Sequence, residues 1–112
     1  MGSDEKNLLD PKAISDLDRV IHSPTRLKIL VVLVTVEEAD FTFIARVANI
    51  TRGNLSANLQ KLEEAKFISI KKEFVDRIPK TLVKITPAGR KALADYSNKL
   101  GAVLDELRVT AD

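Results

Sequence analysis

The chain has 112 residues and a mass of 12.4 kDa, and 45% of its residues are apolar and 30% charged, so we expect one soluble domain with a single core rather than a disordered chain. Cysteine is absent from the sequence, which excludes a disulfide framework and thiolate metal sites. The net charge of +2 is uneven, with +7 on residues 46–91 and −5 on the remainder, which suits a polyanionic partner or, alternatively, a solvated basic face.

Four positions carry the signals that start helices. A side chain that can accept a hydrogen bond precedes a proline at three of them, where the proline's missing N–H costs nothing; these are Asp10-Pro11, Ser23-Pro24 and Thr86-Pro87. Thr51 supplies a fourth acceptor, just before residues 52–55. We therefore expect helices to begin after residues 10, 23, 51 and 86.

The first two helices are predicted over residues 11–21 and 24–36. The first places Ile14, Leu17 and Ile21 on one stripe. The second is apolar on most sides, which is typical of a central core helix. Its inward residues are predicted to be Leu27, Leu30, Val31 and Val34.

The next two helices form a helix-turn-helix pair. A short third helix is predicted over residues 42–48, burying Phe43, Ile44 and Val47. The fourth covers residues 52–65, and its leucines at 55, 59 and 62 follow the helical period. Residues 49–51 make the short turn between them, so the fourth helix is predicted to be a recognition helix.

The period then changes from 3.6 to 2. Residues 68–71 and 81–85 alternate apolar and polar side chains, which predicts two strands. Residues 74–80 between them form a basic hairpin tip closed by a proline, and a long helix follows over residues 87–108. The predicted fold is mainly α (α+β): a winged helix-turn-helix with four helices, a two-stranded wing and a long C-terminal helix. The domain covers residues 11–108, between a flexible N-terminus (1–10) and a tail (109–112).

Two groups of residues are candidates for contact with double-stranded DNA. On the recognition helix, Asn and Gln suit adenine, Arg suits guanine, and the N-terminal amides can hold a phosphate; these residues are Thr51, Arg52, Asn54, Ser56, Asn58, Gln60 and Lys61. On the wing, the candidates for phosphate or minor-groove contact are Lys71, Lys72, Arg77, Lys80 and Lys84. The alternatives are a merely solubilising helix face and a charged strand edge that blocks aggregation.

Three segments resemble ArsR- and MarR-like winged-helix regulators: residues 22–30, 55–65 and 81–93. The resemblance implies a prokaryotic, dimeric transcription regulator that binds a pseudo-palindromic operator. Two positions depart from the family pattern. Asn58 stands where relatives commonly have His, so the base preference cannot be transferred. Lys66 stands where they usually have Gly, and a left-handed Lys66 would cost about 1 kcal/mol.

The last helix carries an apolar seam with alternating spacings of 3 and 4, typical of a helix that packs on a partner helix. With a second stripe near the N-terminus, it predicts a homodimer interface made by Ile14, Leu17, Leu93, Tyr96, Leu100, Val103 and Leu107. The alternative is that this helix packs only on its own core.

The sequence indicates no catalytic, metal or cofactor site. His22 is the single histidine and is expected to pack or cap, and no nucleophile is paired with a base. We expect a protein that is not an enzyme and does not enter a membrane, located in the cytoplasm with the nucleoid; no effector is indicated. Two other functions remain open, a winged-helix module for protein interaction and a nonspecific, chromatin-type DNA binder.

Overall fold

The computed structural model describes residues 10–111, without the side chains of residues 109–111. The expected flexible N-terminus therefore lies almost wholly outside the described residues. The elements in order are α1 (Lys12–Ser15), α2 (Pro24–Val36), β1 (Glu38–Asp40), α3 (Phe41–Val47), α4 (Arg52–Glu64), β2 (Ile68–Val75), β3 (Ile78–Ile85) and α5 (Pro87–Ala111). None of the helices in this part of the chain is both long enough and apolar enough to cross a membrane.

The central helix α2 begins and ends as predicted. Ser23 is extended, and its hydroxyl accepts a hydrogen bond from the Arg26 N–H at 3.3 Å, while Pro24 occupies the first helical position. Ile29, Leu30 and Leu33 are fully buried and define the inner face. The prediction for Val31 was wrong: it is 55% exposed, because it lies about 150° around the helix from the centre of that face.

The first helix is much shorter than predicted, because α1 ends at Ser15. The Asp18 side chain accepts hydrogen bonds from the N–H groups of Val20 and Ile21 at 2.8 and 3.1 Å. Such a local turn competes with helical hydrogen bonds. Leu17 and Ile21 are still buried, whereas Ile14 is 47% exposed.

A short strand that the sequence did not reveal, β1, makes the sheet three-stranded, in the order β1-β3-β2. It pairs antiparallel with β3, with Glu38 opposite Lys84 and Asp40 opposite Leu82. Asp40 then caps α3, accepting from the Phe43 N–H at 2.8 Å, so α3 begins one residue earlier than expected. Val47, expected to be buried, is 51% exposed, because it lies about 80° around the helix from the face of buried Ile44 and Ala48.

The wing is a longer hairpin than predicted, with a tighter tip. Its turn consists of Asp76 and Arg77, whose φ angles of 51° and 67° match the two-residue turn that joins twisted strands. Pro79, expected in the tip, lies in β3 opposite Phe74. The neighbouring pair at the turn, Val75 and Ile78, is hydrogen-bonded, so the Phe74–Pro79 pair is not. The backbone nitrogen of Pro79 therefore points away from β2, where its missing N–H breaks no hydrogen bond of the hairpin.

The long helix α5 starts at Pro87 as predicted, and the Thr86 hydroxyl accepts from the Gly89 N–H at 2.9 Å. Gly89 is needed here, since a Cβ at this position would lie 2.1 Å from the Phe67 carbonyl oxygen. Leu93 and Leu100 are half-buried against the core. Tyr96 and Leu17, both expected in a subunit interface, are 4% and 3% exposed and belong to the protomer's own core.

Candidate nucleic-acid interface

The recognition helix α4 is oriented by its leucines and by its cap. Leu55, Leu59 and Leu62 are buried, which fixes the rotation of the helix about its axis. The Thr51 hydroxyl accepts from the Asn54 N–H at 3.2 Å and so defines the first turn. The opposite face is therefore held toward solvent by packing on the core.

The exposed face of α4 holds most of the predicted base-contacting residues. No atom lies within 4 Å of the place where a Cβ of Gly53 would stand, so a partner's backbone or base could approach there. The Gln60 amide donates to the Glu64 carboxylate at 3.2 Å. The residues exposed on or beside this face are Thr51, Arg52, Asn54, Ser56, Gln60 and Lys61.

Asn58 does not belong to this face, which corrects the sequence-based expectation. It is 8% exposed. Its amide group donates to the backbone and side-chain oxygens of Asn54, both at 2.8 Å, and its oxygen accepts from Arg26 at 2.9 Å. Because all its polar atoms are engaged inside the protein, Asn58 cannot reach a base.

Arg52 is fixed at the start of the recognition helix by two contacts. Its guanidinium lies over the Phe41 ring, 4.7 Å from the ring centroid, and it donates to the Thr42 hydroxyl at 3.3 Å. A cation held over an aromatic face keeps its charge while losing freedom of movement. Arg52 is thus a positioned positive charge, suited to a phosphate beside the helix.

A groove separates the recognition helix from the wing. Side chains alternate along a strand, so Lys72 shares the sheet face of buried Ile68 and half-buried Ile70. This places Lys72 opposite Ser56 and Gln60, and these three residues line the groove together with Thr81. Polar hydrogen-bonding groups, one cation and the carboxylate of Glu63 thus face one concave surface.

The other wing cations are less available than their spacing suggested. Lys71 is paired with Glu73 at 3.1 Å, and Lys80 with Asp40 at 3.8 Å. Lys84 lies at the base of the wing, between Glu38 and Ser69. Lys72 is therefore the wing cation that lines the groove, and Arg77 is exposed at the tip.

The tip of the wing also exposes apolar side chains, which the charge pattern does not indicate. Phe74 is 76% exposed, Ile78 57% and Val75 41%. All three residues lie within the predicted tip, residues 74–80, so the sequence itself indicates that the tip carries apolar side chains. They lie beside the Asp76-Arg77 turn, so the wing ends in a tip that carries apolar side chains and one charge of each sign.

The predicted interface residues divide into two groups. Leu17, Tyr96 and the half-buried Leu93 and Leu100 pack within the protomer. The others gather at the far end of α5, where Ile14 of α1, Val103 and Leu107 line a shallow apolar depression. Ile14 and Leu107 are each 47% exposed there, and neighbouring Leu104 is 43% exposed.

Comparison with known proteins was made for both sequence and structure. Residues 25–104 match the family described as winged helix DNA-binding domain. An uncharacterised protein of Methanocaldococcus jannaschii is 38% identical over 78 residues, which are 70% of this chain and 85% of that protein. A transcriptional regulator homologue from Pyrococcus horikoshii OT3 is similar with a TM-score of 0.77 and 30% identity, over 86% of this chain and 93% of that one. A MarR-family regulator from Silicibacter pomeroyi has a TM-score of 0.61 and 20% identity, over 96% and 68%.

Proposed function

We propose, from the premise that this chain belongs to the winged helix DNA-binding domain family, that it is a sequence-specific regulator which binds a pseudo-palindromic operator as a homodimer. Membership confirms the winged-helix transcription-regulator resemblance and the predicted fold class. Proteins of this class bind DNA and regulate transcription. We propose in addition the sequence specificity, the pseudo-palindromic operator and the homodimer.

The observation that carries the proposal is the shared groove of α4 and the wing. The face of α4 that points away from the core is rich in small and amide side chains, and Ser56 and Gln60 face Lys72 across the groove. An α-helix fits the major groove of B-DNA, where amides and hydroxyls can distinguish base edges. Lys72 and Arg77 would then reach the phosphates beside it, contacts that position the protein without reading sequence.

The dimer is supported by the length of α5 and by what its far end exposes. The radius of gyration is 17.9 Å, whereas a compact domain of this length has a value of about 13 Å. At the far end of α5, Leu107 is exposed beside Ile14, and Leu104 is exposed as well. A second copy related by two-fold symmetry would cover these side chains and present two recognition helices to successive major grooves.

A selection from random duplex DNA tests the proposal. Purified protein should enrich one motif with two inverted half-sites whose centres lie about 10 base pairs, or a multiple of that, apart. Enrichment without a motif, together with a steep salt dependence, would indicate a nonspecific binder and contradict the proposal. No enrichment at low salt would leave a protein-interaction module as the function.

Two single variants on the exposed face of α4 test whether its amides read bases. Asn54→Ala and Gln60→Ala should each lose about 1–3 kcal/mol of discrimination at one base pair per half-site. Lys28→Ala is a suitable reference, because Lys28 is exposed on α2, away from the groove. An equal loss on the selected and on random duplexes would show that neither amide reads a base.

A further inference from the structure

A chain of hydrogen bonds leads from α2 to the exposed face of the recognition helix. The half-buried guanidinium of Arg26 donates to the backbone oxygens of Val20 and Arg19, the latter at 3.4 Å. Its third contact is a donation to the Asn58 side-chain oxygen at 2.9 Å. Asn58 in turn donates to the Asn54 side-chain oxygen at 2.8 Å, and Asn54 is exposed.

The direction of every bond in this chain follows from Arg26. A guanidinium has only donors, so the atom of Asn58 that faces it must be the amide oxygen. The amide nitrogen of Asn58 therefore faces Asn54 and requires an acceptor there. Both the backbone and the side-chain oxygen of Asn54 fill that role at 2.8 Å.

The consequence for Asn54 is a fixed polarity. Its side-chain oxygen is turned inward toward Asn58, so its NH₂ group is the part of the amide that leads toward solvent. An asparagine that is free to rotate can offer bases either a donor or an acceptor, or both together to adenine. In Asn54 the hydrogen bond from Asn58 fixes the orientation of the amide, so that the donor faces solvent.

We propose that Arg26 and Asn58 are positioning residues that make Asn54 a hydrogen-bond donor to the DNA and so determine which base it selects. The inference rests on the proposed function. A donor at this position favours base edges that carry acceptors in the major groove, namely the N7 and O6 of guanine, the N7 of adenine or the O4 of thymine. It disfavours the N4 amino group of cytosine.

Asn58→Asp tests this polarity directly, because it replaces the amide nitrogen by an oxygen of nearly the same size. One carboxylate oxygen keeps the contact with Arg26. The other becomes an acceptor that faces the Asn54 side chain and no longer bonds the Asn54 backbone oxygen. Asn54 should then turn its NH₂ group inward and its oxygen outward. At the base pair read by residue 54, the preference should change from guanine or thymine, which present only acceptors in the major groove, to cytosine, which presents only a donor there, by about tenfold or more in relative affinity.

Asn54→Ala identifies the base pair concerned and serves as the control. In the Asn54→Ala background, Asn58→Asp should cause no change of preference, since the residue that reads the base is gone. A folded Asn58→Asp protein that retains the wild-type preference at that pair would overturn the inference. So would a wild-type motif in which Asn54→Ala alters no position.

A second variant covers the case in which Asn58→Asp fails to fold. Arg26→Gln keeps a polar side chain but offers both a donor and an acceptor, so the polarity of Asn58 is no longer imposed. It should relax the preference at the residue-54 base pair and leave the other positions of the motif unchanged. An equal loss of affinity on all sequences would overturn the inference, whereas a wild-type protein without any motif would contradict the proposed function itself.

Discussion

The Tyr96 hydroxyl lies 2.8 Å from Nδ1 of His22, and the two rings are tilted against each other with centroids 5.7 Å apart. Tyr96 is 4% exposed, although it stands on the long helix α5. The contact joins α5 to the segment that leads into α2. It therefore attaches α5 to its own core at Tyr96.

Tyr96→Phe should destabilise the protomer without changing its assembly. It removes one side-chain hydrogen bond and keeps the ring, so we expect a loss of about 1 kcal/mol in the free energy of unfolding. Urea denaturation at a fixed protein concentration measures the loss, and light scattering measures the mass. Dissociation into monomers with unchanged stability would instead place Tyr96 in a subunit interface.

The two sets of wing cations should differ in their contribution to DNA binding. Lys72→Ala with Arg77→Ala removes the cation that lines the groove and the exposed cation of the wing tip, so the slope of log affinity against log salt should fall by about 2. Binding should weaken equally on selected and random duplexes, because phosphate contacts carry no sequence information. Fluorescence anisotropy at several salt concentrations measures both effects.

Lys71→Ala with Lys80→Ala is the matched control, since it removes the same charge from residues that are paired with Glu73 and Asp40. Its slope should change by less than that of the first pair. A larger change in the control would mean that the other face of the wing contacts DNA.

Leu104→Asp with Leu107→Asp should give folded monomers that bind the operator weakly. Both side chains are nearly half exposed in the single chain, so charging them should cost the single chain much less than it costs a covered apolar interface. Ser97→Asp with Asn98→Asp adds the same charge at exposed positions of the same helix and should remain dimeric. Light scattering distinguishes the two, and a dimeric Leu104/Leu107 variant would place the interface elsewhere.

Lys66→Gly should stabilise the fold. Lys66 follows the cap of α4 with a φ of 66°, a left-handed conformation that costs a residue with a Cβ about 1 kcal/mol relative to glycine. The exposed side chain makes no contact that would offset this gain through its own burial. Urea denaturation should show the increase; a decrease would mean that the greater freedom of glycine in the unfolded chain outweighs the relief of strain.

Helix starts were predictable because their signals are local. Ser23, Thr51 and Thr86 accept from the expected N–H groups, and α2, α4 and α5 begin where these caps placed them. The early end of α1 was not predictable from apolar spacing alone, since Asp18 ends it by a turn of its own. Strand β1 escaped notice because Glu-Ala-Asp has no strand propensity and is held only by its partner β3.

The errors within the site arose from tertiary contacts that residue type does not reveal. Asn58 has the polarity of a surface residue, and only its three hydrogen bonds, to Arg26 and Asn54, explain why it is buried. The seam of α5 has one continuous spacing, yet Tyr96 packs inside the protomer while Leu107 remains exposed. The period of a helix specifies a face and cannot distinguish the protein's own core from a second copy.

Titration of the selected duplex, in parallel with a scrambled duplex of the same composition, tests the central claim most directly. At near-physiological salt the account predicts that the selected duplex binds about a thousandfold or more tightly than the scrambled one, with two chains per duplex. Equal affinity for both duplexes, or one chain per selected duplex at saturation, would contradict a dimeric, sequence-specific regulator.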